Sequence, residues 1–180
     1  VVSHMLNRIT FGARPGDYEH VRKLADTPEA AAQAFVQEQL APEKLDDRFT
    51  EYQVRRFDAL GEPAAEMFEY RDHRLLDWLE RATFFRAVHS ERQLFEVMVQ
   101  FWSDHFNIDQ SKGDCRWLKA ADDRDVIRRH ALGNFPELLR ASAFSPAMLW
   151  YLDGAVNRKT PDSERPNENY GRELLELHTL

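Results

Sequence analysis

One cysteine, no long apolar run and no basic excess: each of these scarcities removes a class of protein from consideration. Cys115 stands alone, which excludes an internal disulfide, a cysteine-rich zinc site and a CxxCH haem attachment within these 180 residues. The longest nearly apolar stretch, around Ala141 to Leu152, is too short to span a bilayer. No leader-like segment opens the chain, although an exported protein whose leader has been removed would read the same way. Lysine and arginine number 24 against 31 aspartates and glutamates, for a formal charge of −7. Even the arginine-rich stretch Arg124, Arg128, Arg129 and His130 follows Asp122 and Asp123. The phosphate-neutralising stripe of a nucleic-acid binder is therefore missing, and nucleic acid is not an expected partner. GxSxG, HExxH, P-loop and GxGxxG motifs are also absent, and no local grouping of Ser, His and Asp marks out a triad.

What is present is enough apolar material for a packed interior, 43% hydrophobic with 12% aromatic residues. Nearly every segment carries helical spacing, and no alternating run flanked by turn signals makes a strand. The fold class is all-α, an irregular multi-helix bundle of about eight to ten helices in a single domain over residues 1–180. A helix over Val2 to Ile9 should stop at Gly12, and Asp17 should cap the next. Thr27-Pro28 opens a third, helical pattern runs from Asp46 to Leu60, and Ala64 to His89 reads as one long helix with Leu75, Leu76, Trp78, Leu79, Phe84, Phe85 and Val88 on its apolar side. Ser90 and Gln93 stand in capping-box positions before a helix to about Phe106, on which Leu94, Met98, Phe101, Trp102 and His105 fall on one stripe. Further helices span Cys115 to Ala131, start at Asn134-Phe135-Pro136 and start again at Ser145-Pro146. Residues 154–166 form a polar connection, read equally as a lid or as a mobile surface link.

Ionisable side chains crowd most densely between Asn167 and Leu180. Such groups do not improve packing, so they mark either a solvated face or the wall of a chemical site. At about 100° per residue, Asn169, Arg172, Glu173 and Glu176 share one side of this helix, while His178 lies with Tyr170 and Leu174 on the apolar side. Metal-binding bundles use Glu-x-x-His where this chain has Glu-x-His, so no metal or other cofactor can be named. A histidine on an apolar stripe is most often a satisfied core residue, but the aromatic surroundings of His105 are also the kind that tune an imidazole for chemistry.

Taken in order, the blocks Leu6-Asn7-Arg8-Ile9-Thr10-Phe11-Gly12, Phe101-Trp102 with His105-Phe106-Asn107, Arg124-Asp125-Val126-Ile127-Arg128 with His130-Ala131-Leu132-Gly133, Ser145-Pro146-Ala147-Met148-Leu149 with Tyr151-Leu152-Asp153, and Asn167-Glu168-Asn169-Tyr170 with Arg172-Glu173-Leu174-Leu175-Glu176-Leu177-His178 resemble the bacterial domain-of-unknown-function family numbered 1800. The resemblance covers almost the whole chain. It implies the N-terminal part of a longer protein and an extracytoplasmic location, periplasmic or secreted, with a cytoplasmic one as the alternative. Two functional readings stay open. In one, the chain is a binding or scaffold module for an unidentified protein or glycan, its polar clusters fixing helix register. In the other, it is a metal-assisted or acid/base hydrolase in which His105, Asp153, Glu173 and Glu176 surround a pocket and Arg172 holds an anionic or carbonyl group.

Overall fold

Capping residues and apolar spacing translate into helix after helix. The computed structural model describes residues 1–154, 157 and 168–179, and among the described residues every regular element is helical. The polar connection read over 154–166 lies, apart from Gly154 and Asn157, outside the described residues. The chain divides into two compact units, one made of Val1–Arg56 with Arg81–Phe101 and the other of Phe57–Glu80 with Trp102–Leu180.

The first unit begins with α1 (Val2–Ile9), α2 (Asp17–Arg22) and α3 (Pro28–Gln39). Their core is Val2, Leu6, Val21, Ala31 and Phe35, with Met5, Ile9, Leu24 and Ala25 packed against it. Each fully buried Leu, Val or Phe there contributes about 1.5–3 kcal/mol. Helix α1 stops where Thr10 turns extended and its hydroxyl donates to the Leu6 carbonyl at 2.7 Å. Gly12 follows at φ +123°, a backbone that favours glycine. Thr27 caps α3 as expected, its hydroxyl accepting from the Ala30 N–H at 3.2 Å with Pro28 at the first helical position. The expected cap of α2 is corrected: Gly16, at φ +95°, occupies that position. Asp17 is the first helical residue, and its carboxylate reaches back to accept from the Arg14 N–H at 2.8 Å.

Two longer helical readings are also corrected. The pattern over 46–60 is realised only as α4 (Arg48–Val54) and a 3-10 turn at Asp58–Gly61. Between them Phe57 leaves helical backbone and sets its ring 6.2 Å from that of Trp78. The pattern over 64–89 begins with a separate 3-10 turn, Glu66–Glu69, before α5 (Asp72–His89). Tyr70 is extended at the break because its carbonyl accepts from the Trp117 indole N–H at 2.9 Å, a partner outside the helix. Along α5 the buried residues include Leu75 and Ala82, whereas Phe84 is 73% exposed and Val88 half-exposed, so the apolar side read from the sequence is only partly covered.

Helix α6 (Gln93–His105) buries a different stripe from the expected one. Gln93, Glu96 and Val99 face inward, while Phe101 is 54% exposed and Trp102 and His105 are half-buried. The reason is polar. Gln93 donates to the carbonyls of Ala87 and Ser90 at 3.1 and 2.8 Å and accepts from the Phe11 N–H at 3.2 Å. Gln39 donates to the Glu91 carbonyl at 3.0 Å and accepts from the Leu94 N–H at 3.1 Å. Asp47 accepts from the Ser90 hydroxyl and the Glu91 N–H, both at 2.9 Å. The orphan backbone groups at this helix start are thus satisfied by buried side chains. The capping box exists in altered form: the Ser90 hydroxyl accepts from the Arg92 N–H at 3.0 Å, but Gln93 turns to the Ser90 carbonyl rather than its N–H.

In the second unit, Ala59, Met67, Leu75, Ala120 and Ala121 form a core flanked by Leu60, Tyr70, Trp78 and Trp117. Helix α7 (Cys115–Asp122) runs into a π-helical turn, Asp123–Arg128, and helical backbone continues to residue 130. Then come α8 (Phe135–Ala143), α9 (Pro146–Tyr151) and α10 (Asn169–His178). Ser145 caps α9 by accepting from the Met148 N–H at 3.0 Å.

Candidate functional site

The sequence pointed to His105 and to the last helix, and the structure joins them through a second histidine. His105 ends α6 and His178 ends α10. His105 Nε2 lies 3.2 Å from the His178 carbonyl oxygen, and the two rings are 6.1 Å apart. A carbonyl can only accept, so this contact places a proton on His105 Nε2. Around the pair, the buried Phe106 ring stands 4.7 Å from His105 and 5.0 Å from His178, with Trp102 5.7 Å and Phe135 6.3 Å from His105. Trp102 is fixed by donating its indole N–H to the Ala131 carbonyl at 3.0 Å.

His178 is 4% exposed, on the packing side of α10 where the angular reading put it. Its Nδ1 has no hydrogen-bond partner among the described residues. Burial lowers its pKa, the nearby His105 lowers it further and Glu173 works in the opposite direction. The imidazole is held neutral in an aromatic surround, within the field of one carboxylate. Tyr170 anchors the start of α10 by donating its hydroxyl to the Ala143 carbonyl.

The remaining candidates are placed more openly. Glu173 is half-buried, with its carboxylate 3.8 Å from the guanidinium of the more exposed Arg172, and Glu176 is exposed. Asp153 closes α9 at φ +59°, and its carboxylate pairs with Lys112 Nζ at 3.0 Å on the surface. Lys112 also donates to the Tyr151 carbonyl, so Asp153 belongs to a surface clamp on the 107–114 loop. Among the described residues, no group of three or more His, Cys, Asp and Glu side chains could hold a metal ion.

One ionisable group escaped the sequence reading. Asp122 is 4% exposed, and its Oδ1 has no hydrogen-bond partner among the described residues. Burial pushes its pKa up to about 6, with the Ser145 hydroxyl and Lys119 pulling the other way. The signal was available: Cys115, Leu118, Asp122 and Val126 follow i, i+3, i+7, i+11 spacing, so an acid sits on an apolar stripe. A π turn starting at the next residue is the kind of helix irregularity that often accompanies functional sites.

Searches of curated proteins and of solved structures gave no match. The family model described as protein of unknown function (DUF1800) matches residues 4–180. Since that match takes in nearly the whole helical chain, from the first helix to the His105–His178 contact, the chain belongs to the DUF1800 family.

Proposed function

We propose that this chain is a binding or scaffold module of an extracytoplasmic bacterial assembly, with a protein or glycan as partner. The carrying observation is the set of large apolar side chains left exposed in the second unit: Phe144 is 74% exposed, Leu175 and Leu177 57% each. Where such side chains adjoin on a folded domain they mark a contact surface. The buried polar groups support the same reading. Gln39, Asp47, Gln93 and Ser145 satisfy backbone groups at helix starts, which fixes how the helices meet and leaves those side chains without free chemistry.

One observation favours the second reading, a metal-assisted or acid/base hydrolase. His178, buried and with an unbonded Nδ1, sits beside His105 with Glu173 in electrostatic range, and a neutral imidazole of that kind suits a general base. In this reading His105, Glu173 and Glu176 line the site, Arg172 holds an anionic or carbonyl group, and Asp153 is its outlying member.

Thermal melts of the wild type and Glu173→Ala, each with and without added Zn²⁺ or Mn²⁺, separate the two. The module reading expects a small loss of stability from removing one half-exposed carboxylate, equal with and without metal. A metal-dependent rise in Tm that disappears in Glu173→Ala overturns it in favour of the enzyme.

A further inference from the structure

The first unit contains a cleft of about 320 Å³. Its lining comes from the segment leading into α2, from α2, α3 and the turn after α3, and from the segment leading into α6 with its first residue. Pro15, Phe35 and Leu45 supply its apolar wall. What the cleft can bind follows from which of its polar groups are already engaged.

Each guanidinium nitrogen of Arg14 and the amide nitrogens of Gln39 and Gln93 already have a partner. Arg14 directs Nε to Asp17 at 3.4 Å, Nη1 to the Ser90 carbonyl at 3.2 Å and Nη2 to Glu91 at 3.1 Å. The Gln39 amide N–H bonds the Glu91 carbonyl at 3.0 Å, and that of Gln93 bonds the carbonyls of Ala87 and Ser90. The acceptors are not exhausted. Glu38 meets His20 Nε2 through one oxygen, at 3.3 Å, and Glu91 meets Arg14 through one oxygen. Among the described residues, each carboxylate keeps its other oxygen unbonded. The lining brings three carboxylates, Asp17, Glu38 and Glu91, against one guanidinium, Arg14, and one imidazole, His20. An anion would face these carboxylates with the one guanidinium already paired. A cation with N–H donors and a short apolar stem finds both complements.

We propose that this cleft binds an alkyl-chain cation, an amine or guanidinium whose head reaches Glu38 and Glu91 and whose methylene stem lies along Pro15, Phe35 and Leu45. Two sources share that chemistry: a free small amine, and a lysine or arginine side chain of a polypeptide.

The test is a titration of the ¹⁵N-labelled chain at low ionic strength, followed by amide shifts. The probes are n-butylguanidinium and n-butylamine for the free source, a blocked Gly-Arg-Gly peptide for the side-chain source, and inorganic phosphate as the anionic control. The expected result is saturable shifts at the amides of Phe35, Gln39 and Gln93 with the cations, abolished at high salt, and none with phosphate. Tighter binding of the peptide than of butylguanidinium assigns the polypeptide source, and the reverse assigns the free amine. The double variant Glu38→Gln/Glu91→Gln should weaken binding by at least about tenfold, the loss of two charge-assisted contacts. If that variant fails to fold by circular dichroism, Glu38→Gln alone is read, with an expected weakening of about threefold or more. Equal binding by the folded variant, equal shifts with phosphate, or no saturable shift with any cation overturns the proposal.

Discussion

Asp122 gives the sharpest test of how the second unit is built. Its carboxyl is buried, one oxygen lacks a partner among the described residues, and its pKa is pushed up to about 6. In the unfolded chain an aspartate titrates near about 3.9. The folded state therefore holds the proton more tightly than the unfolded state does. The resulting cost is absent below about pH 4, grows between about 4 and 6, and is complete above about 6. A shift of roughly two units corresponds to about 3 kcal/mol lost at neutral pH. Asp122→Asn removes the charge while keeping the shape. Its buried amide brings N–H donors of its own, at a cost of about 1–2 kcal/mol if they find no acceptor. The net expectation above neutral pH is a gain of about 1–2 kcal/mol, or a Tm higher by about 3–6 °C for a chain of this size. At about pH 4 the wild-type carboxyl is already neutral, so the advantage vanishes and the variant becomes equal or slightly worse. Melting curves of both proteins from acid to neutral pH measure this crossing directly. A Tm difference that does not change with pH, or a variant less stable than the wild type at neutral pH, refutes the argument. The second outcome would mean that the Asp122 charge serves the fold or a ligand.

Gln93 should matter out of proportion to its polarity. Gln93→Met keeps volume but strands the Phe11 N–H and removes the donors to the Ala87 and Ser90 carbonyls. Urea unfolding should show a loss of about 2–4 kcal/mol, and a loss below about 0.5 kcal/mol would mean that the hub is not structural. His178 predicts a second pH dependence, opposite in sign to that of Asp122. Its folded pKa is depressed, first by burial and then by His105, so the unfolded chain binds the extra proton more readily. The stability associated with neutral His178 is complete above about pH 6.5 and is lost as pH falls below that value. His178→Asn should flatten the loss. An imidazole NMR titration of His178 at or above the usual histidine pKa would contradict it.

Much of the fold is written locally. Thr27-Pro28 and Ser145-Pro146 start helices wherever they occur, because a hydroxyl accepts an orphan N–H and proline has none to strand. The absence of alternating patterns excluded strands, and one cysteine excluded a disulfide framework. The order of short blocks across the chain was enough to suggest the family that the match over residues 4–180 shows. Other features depended on partners distant in sequence. The sequence could not show that Tyr70 would break a long helix, because the cause is an indole N–H 47 positions away. Nor could it show that α6 buries Gln93 and Glu96 rather than Phe101, since that choice follows from polar contacts with residues as far back as Phe11. The candidate site divides in the same way. Helical periodicity placed His178 on the packing side of its own helix and Arg172, Glu173 and Glu176 on the other. Only the tertiary structure set His105 against the His178 carbonyl, moved Asp153 out to Lys112 and gathered Arg14, Glu38 and Glu91 around one cleft. Periodicity assigns a side chain to a face of its own helix, whereas what that face meets depends on contacts between segments far apart in the chain.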